Sequence, residues 1–463
     1  DPTSGAVFRC NPDGSDLEVF HTGLRNPQEI AFDDYGTLFT GDNNSDGGDR
    51  ARLVHVAEGG RTGWRMEYQS LAGDNLRGPW NQEGLWHERH EHQPAWIIPP
   101  VTNIASGPSG FVHYPGLGLG ARYRDHFFLC DFTGSPQHSR VLSFGVEPDG
   151  AGYRIKDVHP FVSGLLCTDV DFGWDGRMYV SDWVEGWECT ETGRIFALHD
   201  PRYSSDPRID EAALIIREGL DHRANGELAG ILDHADQRIR LQAQFALARR
   251  GDESIGALAG VARSSGQLAR IHAIWGLGMV ARTTSLPQGD PGHPMEFVLE
   301  LLLDEDREIR GQASKVLGEA LCTPAADALV ELIFDPEPRV VYHATMAVGR
   351  LSAEMFVCCV ARLPKTPPLT STPNFTPGTM DRFGLGYVNV SKRNPRIIYC
   401  SISGFGQTGP YADRPALDIV VQAMSGIMSI TGEPGRPPVR VGTSIGDITA
   451  GLFATIGICA ALR

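Results

Sequence analysis

Apolar residues in the first 200 positions come in short alternating runs, each closed by Gly, Asp, Asn or Pro. Alternation with period two puts one set of side chains on one face of a strand, so this region predicts an all-β array. One template recurs. Residues 26–42 and 168–182 each run strand, Asp/Gly hairpin, strand, and close on an acid, Asp42 or Asp182. A degenerate third copy pairs residues 109–114 with 126–131, closes on Asp131 and carries a longer insertion between its strands.

Repeated two-strand units of this kind predict propeller blades, and three copies are too few to close a ring. From about residue 210 the texture turns Ala/Leu-rich with a 3.6-residue period, as in 239–248 and 340–349, which predicts helices. A turn-plus-helix start recurs and aligns Ile239, Ile271, Ile309 and Val340, at steps of 32, 38 and 31 residues. Such steps predict helix-pair repeats of HEAT type, a solenoid that buries a core shared between neighbours and offers a surface to a protein partner.

Pro364, Pro367, Pro368, Pro373 and Pro377 then interrupt any helix. Beyond them, residues 396–403 read as a buried strand, and 417–429 and 448–462 as helices rich in small residues, which is α/β texture. The expected organisation is therefore multidomain: a partial β-propeller over 1–205, a helical solenoid over 210–362, a Pro/Thr-rich joint over 363–373 and an incomplete α/β segment over 374–463.

Composition narrows the partners. With 57 acidic and 41 basic side chains the net charge is -16, which repels nucleic-acid phosphates. No run of about 18 apolar residues is present to span a bilayer. Nine scattered cysteines form neither an even disulfide framework nor a C-x-x-C signature, so the redox compartment stays open.

The final segment carries the most specific pattern. Residues 374–382, 394–410, 418–426, 431–434 and the pair Gly446 and Asp447 stand in the order found in family III CoA-transferases, which this stretch resembles. The resemblance extends to formyl-CoA and carnitine CoA-transferases and to α-methylacyl-CoA racemase. It implies a CoA thioester as substrate and Asp447 as the carboxylate that attacks it, forming a mixed anhydride and releasing CoA thiolate. It also implies CoA contacts at Asn374, Phe375 and Arg382. Gly442, Gly446 and Gly451 suit a close approach of backbone and thioester. The racemase branch needs a histidine where Leu417 stands, so the pattern favours transfer over racemisation. Read without the family, Asp447 is an N-cap for a helix starting near Ile448.

Residues 23–28, 42–47 and 106–110 resemble glucose/sorbosone dehydrogenase propellers, and residues 5–360 look like the propeller-plus-HEAT part of planctomycete and verrucomicrobial membrane-bound dehydrogenase-like proteins. That resemblance implies Arg25, Asn26 and Gln28 as contacts for pyrroloquinoline quinone. The spacing of Asp42, Asn44 and Asp46 opens like a calcium loop, but Leu53 stands where an EF-hand wants Glu. His87, His90 and His92 have chelating spacing without a carboxylate or thiolate to complete a zinc set. The two resemblances imply different compartments, exported for the dehydrogenase-like one and cytoplasmic for the CoA-transferase one. The expectation is a chimeric chain in which neither site is complete; the alternatives are an interaction scaffold with a C-terminal passenger and a pyrroloquinoline-quinone-dependent sugar oxidoreductase.

Overall fold

The computed structural model describes residues 5–43, 50–63, 98–187, 191–351, 370–371, 377–382, 386–393, 395, 397–414, 416–433 and 435–461. The chain falls into two compact units, residues 1–324 with 335–343, and residues 325–334 with 344–463.

The first unit opens with four sheets. Strands β1 (Val7–Arg9) and β2 (Glu18–Thr22) are antiparallel. The next sheet begins with β3 (Pro27–Phe32), β4 (Leu38–Asp42) and β5 (Ala51–His55). Strand β6 (Gly60–Arg61) returns to lie parallel to β2, while β7 (Thr102–Ala105) pairs with β5. Then β8 (Pro108–His113), β9 (His126–Asp131), β10 (Arg140–Asp149) and β11 (Gly152–Ser163) form an antiparallel meander. A last sheet joins β12 (Cys167–Phe172), β13 (Met178–Asp182) and β14 (Arg194–Leu198).

Strand β9 shows why part of this region departs from simple alternation. All six of its residues are buried, so both faces are apolar. Phe127 and Leu129 pack with Phe39, Leu53, Phe111 and Phe144. Phe128 and Cys130 point the other way, among Cys167, Val170, Phe172 and Met178. The Phe111 and Phe127 rings stack at 5.0 Å and 10°. Successive sheets therefore share cores across β9.

The closing acids of the three sequence copies share one structural task. Asp42 Oδ1 accepts the backbone N–H groups of Arg25 and Asn26, both at 2.9 Å, and Oδ2 accepts from Arg52. Asp131 accepts from Ser106 N at 2.7 Å and pairs with Arg140 at 3.6 Å. Asp182 accepts from Leu166 N at 2.9 Å and from Arg194 Nη2 at 2.7 Å. In each, the end of a sheet's second strand in the copy is clasped to the turn before the first and to an arginine on the third.

Helices α1 (Pro207–Glu218), α2 (Asn225–Ile231), α3 (Gln237–Arg249), α4 (Ile255–Ser264), α5 (Gln267–Ala281), α6 (Pro294–Leu299) and α7 (Arg307–Glu319) complete most of this unit. The aligned Ile239, Ile271, Ile309 and Val340 are all fully buried. Asp236 and Asp306 cap α3 and α7 by accepting from Arg238 N and Glu308 N, as short acids do at helix starts. Arg240 and Arg310, one residue after aligned isoleucines, each reach back to two carbonyls, those of His234 and Ala235 and of Asp304 and Glu305. The helices and strands lie within one unit: Gln237 Nε2 donates to Asp33 O at 2.7 Å and Gln312 Nε2 to Tyr35 O at 2.9 Å, holding the β3–β4 turn.

The second unit contains α8 (Ala326–Leu332), and α9 (Pro338–Leu351) runs into it from the first. It continues with β15 (Thr370–Ser371), parallel to β16 (Ile398–Tyr399), and with α10 (Thr379–Arg382) and α11 (Tyr387–Arg393). Helices α12 (Asp418–Met424) and α13 (Ile445–Ala461) follow. The strand expected over 396–403 is thus much shorter, and the last helix starts three residues earlier than Ile448. From residue 377 onward, Gly386, Val390 and Gln422 are the buried residues among those described.

Candidate functional site

Asp447 lies in the first turn of α13 and is exposed. It is a residue of the helix and not its cap, which corrects the family-free reading of this position. Among the described residues its carboxylate takes no hydrogen bond or ion pair. The start of α13 is held instead by α12. Asp418 Oδ1 accepts from Gly446 N at 2.7 Å, one residue before Asp447. Gln422, one helical turn after Asp418, donates to Asp418 Oδ2 at 2.6 Å and accepts from Val441 N at 2.8 Å. A Cβ on Gly446 would stand 2.9 Å from Asp418 Oδ1, so glycine is what allows this approach. A Cβ on Gly442 or Gly451 would meet nothing within 4 Å, so no close approach requires glycine there.

Arg382 is exposed at the end of α10, and its Nη2 donates to Thr379 Oγ1 at 3.0 Å within the same short helix. Asn374 and Phe375 lie outside the described residues. Leu417, just before α12, is 75% exposed.

In the first unit, Asn26 and Gln28 are exposed and Arg25 is half-buried. The Arg25 and Asn26 amides are engaged by Asp42. Because both Asp42 oxygens are committed to those amides and to Arg52, the residue does not fit a calcium ligand's role. Asn44, Asp46, His87, His90 and His92 lie outside the described residues. No group of three or more potential metal-binding His, Cys, Asp or Glu occurs among the described residues. Nor is any described helix long and apolar enough to cross a membrane.

Two cavities of this unit lie elsewhere. One, of about 300 Å³, is lined by Leu241, Phe245, Trp275 and Met279 with Lys315 and Arg282. The other, of about 580 Å³, is polar and includes Asp33, Tyr153, Glu308 and Arg339. There the Tyr153 hydroxyl meets Thr37 Oγ1 at 3.0 Å and also bonds Arg339. Burial pushes the Asp33 carboxyl up to about 7. Arg25, Asn26 and Gln28 line neither cavity.

Residues 371–463 match the model of CoA-transferase family III. Within this segment the chain is 59% identical over 90 residues to the acetyl-CoA:oxalate CoA-transferase of Acetobacter aceti, covering 19% of this chain and 23% of that protein. It is 43% identical over 126 residues to the succinate–glutarate CoA-transferase of Agrobacterium fabrum, covering 26% and 31%. The chain therefore spans only about a quarter of the length of the curated relatives it matches. A PQQ-bound aldose sugar dehydrogenase from Streptomyces coelicolor aligns structurally at 18% identity and a TM-score of 0.29, covering 42% of this chain and 52% of that one. At that score the alignment supports no reading of function.

The sequence pattern singles out Asp447 but gives no role to Gln422 and does not reveal the task of Asp418. A signal was present: an acid and an amide at i and i+4 on one short helix can hydrogen-bond and present a joint polar face. Which backbone amides that face would meet depends on a contact 28 residues away, which local sequence does not encode.

Proposed function

We propose that residues 371–463 are the nucleophile-bearing part of a CoA-transferase acting between an acyl-CoA and a carboxylate, with Asp447 as the attacking group. Its carboxylate oxygen would bond to the thioester carbonyl carbon, the C–S bond would break, and CoA would leave as thiolate. The resulting anhydride would then pass its acyl group on. The observation that carries this reading is the 59% identity of this segment to a CoA-transferase. Asp418 and Gln422 act as positioning residues that fix the helix start beneath Asp447.

The exposure of Asp447 sets its expected reactivity. A hydrated carboxylate is a weak nucleophile, and the chemistry needs it desolvated and aimed. By itself this chain is therefore expected to consume succinyl-CoA no faster than its Asp447→Asn variant. The check is incubation with acyl-CoA and hydroxylamine, followed by peptide mass analysis. A hydroxamate trapped at Asp447 would establish the nucleophile and overturn the claim that the chain is inert alone.

For the first 351 residues we propose a scaffold built from propeller-type sheets and HEAT-type helix repeats, presenting a surface to a protein partner. Support comes from the three Asp–Arg clasps and from the four aligned buried positions at Ile239, Ile271, Ile309 and Val340.

A further inference from the structure

Two cysteines that no role has yet absorbed share one buried core between neighbouring sheets. Cys130 is the next-to-last residue of β9 and Cys167 the first of β12. Both are fully buried in the same apolar cluster, and both thiols are free. The backbones around them are in close contact. Ser109 Oγ, on β8, donates to Cys167 O at 3.4 Å. A Cβ on Gly110 would lie 2.5 Å from Asp169 Cα, so β8 and β12 meet without an intervening side chain.

We propose that Cys130 and Cys167 are a cross-linking site, joined as a disulfide between the β8–β11 sheet and the β12–β14 sheet when the chain folds in an oxidising compartment. The two thiols lose two protons and two electrons, one S–S bond forms, and an external disulfide, that of a thiol oxidase or of oxidised glutathione, is reduced to two thiols. Once folded, the pair is poorly disposed to exchange. The neighbouring Cys167, followed by burial, raises the Cys130 thiol well above its ordinary range, and the thiolate is the reactive form. The bond is therefore set as the sheets come together, and its state records where the chain folded. It would close a loop between positions 130 and 167 and so constrain the unfolded chain.

The test is to produce the full chain in two bacterial hosts, one with a reducing and one with an oxidising cytoplasm. Each sample is denatured in the presence of an alkylating agent, digested and mapped by mass spectrometry. The oxidising host is expected to yield a Cys130–Cys167 linked peptide and the reducing host both residues alkylated. The thermal midpoint of the linked protein should exceed that of the reduced protein by several degrees. That difference should vanish in both Cys130→Ala and Cys167→Ala, the second guarding against a folding defect peculiar to the first. Recovery of both cysteines alkylated from the oxidising host, or of either one joined to a different thiol, overturns the proposal.

Discussion

Asp42 is fully buried, and its partner Arg52 is only 12% exposed in its side chain. Removing one charge from such a pair leaves the other stranded in a poor solvent, which costs about 3–5 kcal/mol. Asp42→Asn is therefore expected to lower the unfolding free energy extrapolated from urea titration by an amount in that range, while adding calcium to the unsubstituted protein leaves it unmoved. The three closing acids were legible as a repeated letter; their task was not. An acid ending a strand next to Asn44 and Asp46 reads locally as a metal loop. The arginine that claims Asp42 sits on the following strand and is found only once the register is known. His272 offers a second residue-scale test. It is fully buried, with Nδ1 at 2.8 Å from Gln244 Oε1 and Nε2 accepting from Arg240 Nε at 3.2 Å. Burial, and then the Arg240 charge, push its pKa down to about 3. The unfolded value is about 6.5. The neutral ring thus favours the folded state above that value, and the contribution is lost as pH falls from 6.5 toward 3. Denaturant midpoints measured between pH 7 and pH 4 should fall less steeply in His272→Gln than in the unsubstituted chain.

Helix α13 illustrates what fixes an element's ends. Periodicity alone starts it near Ile448, whereas Asp418 takes the Gly446 amide and allows the helix to begin at Ile445. Gln422 is the residue on which this arrangement turns, since it touches both Asp418 and the segment at Val441 and Thr443. Gln422→Ala should leave the Val441 amide without its partner at a cost of about 1–2 kcal/mol. Hydrogen exchange at Val441 is expected to accelerate accordingly, with the amides of α3 and α5 unchanged. Along the helices between residues 237 and 351 the sequence was more informative. The aligned Ile239, Ile271, Ile309 and Val340 are all buried, as apolar residues recurring on one face of an amphipathic helix are expected to be. The substitution of His272 at the position held elsewhere by Arg240 and Arg310 was invisible as a break in pattern until the ring was seen to accept from Arg240.

At the scale of the whole chain, the two units differ in how much apolar surface they bury. On α13, Ile448, Leu452, Phe453 and Ile456 are 51%, 60%, 70% and 62% exposed. An apolar stripe of this kind stabilises little until something covers it. Limited proteolysis should therefore trim the C-terminal segment back toward the Pro-rich stretch near Pro364 while residues of the first unit persist. Equal resistance across both units would count against the passenger reading. The Asp–Arg clasps bear on a different matter, the order in which the molecule is built. Their backbone contacts close loops of 17, 25 and 16 residues, far shorter than the 204 residues between Gln237 and Asp33. Short closures lose little chain entropy and form early. Each sheet can thus lock as it leaves the ribosome, whereas the β3–β4 turn must wait until the helices that grip it have been synthesised.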